Sequence, residues 1–124
     1  MRGLLMIGAA ALLAGCVSTP SLEGTRGATS FEALQQMCSP QTVDYGHDAQ
    51  AVYETFFDAY VANRRGRLST EDFCAFQASI AQRHASEATS SDPKVRDRWV
   101  AFFNEQRARA ISWRASADPT LRSG

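Results

Sequence analysis

The chain has 124 residues, with 13 basic and 13 acidic side chains and no net formal charge. That length allows one small domain beside any leader. The charge balance excludes bulk attraction to nucleic acid, which needs a clearly basic face.

Met1 and Arg2 give a minimal positive start, and residues 4–13 form an apolar run. The run suits a signal segment and is shorter than the ~20 residues a spanning helix needs. It ends in Leu13-Ala14-Gly15-Cys16, with small residues before a cysteine. This stretch resembles the lipobox of bacterial lipoprotein precursors. The resemblance covers only the first 16 residues. It implies that residues 1–15 are a removed signal peptide and that Cys16 carries covalent lipid as the new first residue. It also implies a place in the bacterial cell envelope, lipid-anchored. Under the family's sorting rules Val17 points to the outer membrane, facing the periplasm. The only group of cofactor type expected is that lipid.

Residues 17–30 are rich in Ser, Thr, Gly and Pro, with Glu23 and Arg26 as their only charges. This composition reads as a flexible tether. It reaches at most ~3.5 Å per residue. The folded domain is expected over 31–117, followed by a frayed tail at 118–124.

Two cysteines remain, Cys38 and Cys74. In the oxidising compartment that the lipobox implies, they are expected to form a disulfide, with two buried free thiols as the alternative. A loop of the length 38–74 gives ~4 kcal/mol by loop-closure entropy. Two cysteines alone do not make a structural zinc site, which takes four ligands. Neither His47 nor His84 is suitably spaced to join them, so no metal is expected.

Four helices follow from the apolar spacing. Thr29 and Glu32 have capping-box spacing and open a short helix over 31–38, stopped by Pro40. Asp48 is expected to cap a helix over 49–64. Its apolar residues, Ala49, Val52, Tyr53, Phe56, Phe57, Tyr60 and Val61, recur at helical spacing. Gly66 suits a C-terminal cap. Ser69 and Asp72 repeat the capping-box spacing before a helix over 70–87, with Phe73, Phe76, Gln77, Ile80 and His84 on one face. Asp92 caps and Pro93 starts a last helix to 117. Val95, Trp99, Phe102, Phe103, Ala110 and Trp113 form its stripe. No segment alternates with a period of two. The fold class is therefore all-α: a small antiparallel bundle of three main helices plus a short N-terminal helix.

The chemistry-bearing motifs are sparse. Residues around Gly66 hint at a calcium loop, but Val61, Asn63 and Arg65 would fill its first three ligand positions, and two of these cannot coordinate. Glu54 and Asp58 lie one turn apart on a polar face. His84 reads as a satisfied core residue, and His47 as part of a turn before a helix. No nucleophile motif or phosphate loop is present, and no enzyme is expected.

Two surfaces remain. On the last helix Arg96, Arg107 and Arg114 flank a second apolar edge of Val100 and Ile111 around Asn104. Apolar anchors rimmed by arginine suit a protein interface. The expected function is non-catalytic docking of another envelope or secretion-machinery protein, with the membrane held through the lipid. The alternative is binding of an anionic envelope polymer or an inhibitor-type ligand at the corner Arg64, Arg65 and Arg67. Nucleic acid is not an expected partner.

Overall fold

The structure, a computed structural model, describes residues 29–117. The leader, Cys16, the tether to residue 28 and the tail 118–124 lie outside the described residues. What is described is all-α, with no strand among the described residues. The helices are α1 (Phe31–Gln36), α2 (Ala49–Arg64), α3 (Thr70–Arg83) and α4 (Pro93–Ala117).

α1 buries Leu34 and Gln35. It ends two residues earlier than the spacing predicts. The N–H groups of Cys38 and Ser39 both turn back to the Gln35 carbonyl, and Pro40 then bars further helix. The turn delivers Cys38 to Cys74, and the two form a disulfide with Cα atoms 5.3 Å apart. It joins the end of α1 to the start of α3, as expected.

A loop leads to a 3-10 turn at Gly46–Asp48. The Asp44 carboxylate accepts the Gly46 N–H at 2.9 Å, and Gly46 takes a positive φ of 57°. This geometry corrects the capping role expected of Asp48. Its backbone is already helical, at φ −85° and ψ −3°, and its side chain makes no cap hydrogen bond. A capping side chain needs an extended backbone to reach the next N–H groups. Here the 3-10 turn starts the helix, which frees the carboxylate to face the histidines.

α2 places Val52, Thr55, Phe56, Ala59 and Ala62 in the core. Tyr53, Phe57 and Tyr60, also on its apolar series, pack as a partly buried flank. The Thr55 hydroxyl donates to the Ala51 carbonyl, so its burial leaves no unmet polar group. The helix closes in a Schellman motif. Arg67 N–H reaches the Ala62 carbonyl at 2.9 Å and Gly66 N–H the Asn63 carbonyl at 3.0 Å. Gly66 sits at φ 77°, where a side chain would be strained. Ser69 then caps α3, accepting the Asp72 N–H at 3.0 Å.

α3 buries Phe73, Phe76, Gln77 and Ile80. The predicted continuous helix instead widens into a π turn at His84–Ala88. Nothing in the apolar spacing signals that change of pitch. The Asp92 carboxylate accepts the Lys94 N–H at 2.9 Å and so caps α4, which buries Trp99, Phe103, Gln106 and Ala110.

Ring contacts fix the directions. Phe56 meets Phe76, and Tyr60 meets Phe73, so α2 and α3 run antiparallel. His84 meets Trp99, and Phe76 meets Trp113, so α3 and α4 also run antiparallel. The broadest pairing is α2 on α4. Phe56 is fully buried at the centre, with Phe31, Tyr45 and Phe76 rings around it. Burial of such a side chain contributes about 1.5–3 kcal/mol.

Candidate functional site

α4 is the longest helix among the described residues, at 25 residues. It turns one stripe inward and leaves the adjoining face in solvent. At 3.6 residues per turn, Val100, Asn104, Arg107 and Ile111 share that face. Val100 is 52% exposed and Ile111 53%, more than Met37 and Val43, the other exposed large apolar residues among the described residues. Asn104 between them is exposed.

The three arginines of this face have different situations. Arg96 is exposed, and its guanidinium donates to the Ser90 carbonyl at 2.7 Å. It thereby ties the start of α4 to the preceding loop. Arg107 is half-buried. Arg114 is half-buried and donates to the Asp58 carboxylate at 2.8 Å. Its guanidinium also lies over the Phe57 ring, 5.8 Å from the centroid. Arg114 therefore fastens α4 to α2, and Asp58 pairs with it rather than standing on a purely solvated face. The outward set consists of Val100, Asn104 and Ile111, with Arg96 and Arg107 beside them.

The corner of Arg64, Arg65 and Arg67 is exposed. Arg64 donates to the Tyr60 hydroxyl at 3.0 Å and lies 5.7 Å from that ring's centroid. The main-chain N–H of Arg67 is held in the Schellman turn.

A third cluster forms where the 3-10 turn meets the π turn. The Asp48 carboxylate lies 3.5 Å from His84 Nε2 and 3.7 Å from His47 Nε2. His84 is buried, with its ring against Tyr45 at 4.9 Å and Trp99 at 5.1 Å. His47 stands in solvent. These separations exceed the 2.7–3.2 Å typical of an N–H···O bond. The Tyr45, His84 and Trp99 rings staple the start of α2, the end of α3 and α4, with the Asp48 carboxylate facing both imidazoles. Burial pushes the Tyr45 phenol up to about 12 from its ordinary 10.0. A shallow cavity of about 220 Å³ opens here, lined by Asp44, Tyr45, His47, Asp48, His84 and Thr89 among others.

Among the described residues no three His, Cys, Asp or Glu side chains are placed to hold a metal ion. Among the same residues no helix is long and apolar enough to cross a membrane. The buried glutamines Gln35 and Gln77 carry structural hydrogen bonds that spacing alone does not announce. Gln77 Nε2 donates to the Leu34 carbonyl at 2.9 Å, and Gln35 Oε1 accepts the Val43 N–H at 2.8 Å.

No protein-family model, no curated protein and no solved structure matches the chain.

Proposed function

We propose that this protein is a lipid-anchored lipoprotein of the bacterial envelope whose helical domain docks, without catalysis, on another envelope or secretion-machinery protein. The observation that carries the reading is the outer face of α4. Val100 and Ile111, each about half exposed, share that face three turns apart. Isolated apolar surface residues are ordinary. Two on one straight face, with Arg96 and Arg107 beside them, form the apolar-and-arginine composition that interfaces enrich.

Two further features support the envelope address. The Leu13-Ala14-Gly15-Cys16 motif supplies the acylation signal. The Cys38–Cys74 disulfide belongs with an oxidising compartment outside the cytosol. Two or more acyl chains on Cys16 hold a protein stably at a bilayer. The tether then sets how far the domain stands from it.

Two linked experiments test this reading. Radiolabelled palmitate is expected in the wild-type chain and not in Cys16→Ser; equal labelling would overturn the anchor. Val100→Glu with Ile111→Glu is expected to abolish partner binding while the circular dichroism and melting of the domain stay unchanged. Retained binding in that variant would overturn the assignment of the face.

A further inference from the structure

The loop between α1 and α2 folds over α3 and leaves an open, mostly apolar cavity of about 200 Å³. Its walls include Val43, Tyr45, Ala78, Ala81 and the Cys38–Cys74 disulfide. None of its lining residues carries a charge at neutral pH. Gln35 and Gln77 also line it, and each is only 6% exposed.

The orientation of both amides is fixed by main-chain partners. Gln35 accepts a backbone N–H, so the atom doing so is its oxygen. Gln77 donates to a backbone carbonyl, so that atom is its nitrogen. The other half of each amide, Gln35 Nε2 and Gln77 Oε1, has no partner among the described residues. Neither atom is sealed from solvent. One donor and one acceptor, both on side chains held rigidly by the fold, therefore remain available at an uncharged, apolar cavity. Small-ligand sites are of this kind: mostly apolar walls with a few convergent polar groups.

From this arrangement we infer that the cavity under the 37–45 loop binds a peptide segment, gripping one backbone amide between Gln35 Nε2 and Gln77 Oε1. A secondary amide offers the matching pair. Its carbonyl accepts from Gln35, and its N–H donates to Gln77. The uncharged lining disfavours a carboxylate or ammonium, whose burial without a partner is costly. The cavity volume admits one small side chain, of alanine size, against Val43, Ala78 and Ala81. This site is independent of the α4 face.

The test is a titration of the ¹⁵N-labelled full chain, in detergent micelles, with N-acetyl-L-alanine N′-methylamide. Saturable shifts are expected at the side-chain amides of Gln35 and Gln77 and at the Val43 N–H. The depsi analogue, with both N–H groups replaced by ester oxygens, removes one hydrogen bond and is expected to bind about tenfold more weakly. Ala78→Phe, at an exposed position of α3 that borders the cavity, is expected to abolish the shifts. Shifts that grow linearly without saturation would overturn the proposal, because only water would then occupy the site. So would equal binding of the depsi analogue, which needs no variant to fold.

Discussion

Two regions of this small bundle solve opposite problems. Around α1 and the 37–48 loop the chain buries the apolar surface it has, Leu34 and Tyr45 among it, and adds specific links. The Cys38–Cys74 bond, the Gln35 and Gln77 hydrogen bonds, the Asp44 turn and the Tyr45–His84 ring contact all lie there. Along the outer face of α4 the reverse holds. Val100 and Ile111 carry apolar surface that the fold does not use. The contrast separates residues that make the domain from residues that the domain presents. A side chain in the first group, when changed, should cost stability. One in the second should cost only an interaction.

The largest effect should come from the covalent link. Cys38→Ser with Cys74→Ser removes a cross-link across 36 positions and is expected to cost up to about 4 kcal/mol. Urea denaturation followed by circular dichroism reads it. An unchanged midpoint would mean that the loop is held without the disulfide.

Gln77→Leu comes next. It strips the Leu34 carbonyl of its side-chain donor in the core, a loss of about 1–3 kcal/mol. The same denaturation measures it, and a stabilised variant would show that the bond is dispensable.

Alkaline pH sharpens the same region. The Tyr45 phenol is held above its ordinary value of 10.0, at about 12, by burial. The folded state therefore binds that proton more tightly than the unfolded state. This contribution is intact below pH 10 and is lost as the pH rises toward about 12. Tyr45→Phe should flatten that part of the stability profile. An identical alkaline decline in both proteins would place the titrating group elsewhere.

The smallest effect on stability belongs to the α4 face. Val100→Glu with Ile111→Glu should shift it by no more than about 0.5 kcal/mol. A loss of several kcal/mol would move these residues into the structural group and erase the contrast.

Much of the helical layout was legible because a bundle's apolar stripe repeats every 3.6 residues. Phe56, Phe73, Ile80 and Trp99 lie in the core as the spacing requires. The Ser69 cap, the Asp92 cap and the Gly66 corner follow from local chemistry that acts within five residues. What sequence spacing missed depends on tertiary neighbours. Asp48 has a cap's position, yet the preceding 3-10 turn redirects its carboxylate to His84, 36 residues on. The π turn exists where α3 must present His84 to Tyr45 and Trp99. Arg114 lies on the arginine edge of α4, but Asp58 of α2 claims it. The spacing puts Gln77 on the inward face of α3, but neither its hydrogen bond nor that of Gln35 is readable there, because a buried polar residue is recognised only by the partner that satisfies it. For the candidate interface, exposure of Val100 and Ile111 agrees with the helical wheel. Polar contacts drawn from other elements divide the arginines around them.

The most direct test of the central claim is photocrosslinking in living cells, with a photoreactive amino acid at Val100 of the full-length chain. Glu71, exposed on α3, serves as the control position. A single discrete adduct from position 100, absent from position 71, is the predicted result. No adduct from position 100 in cells where Cys16 is lipidated, or the same adducts from both positions, would contradict a docking role for the outer face of α4.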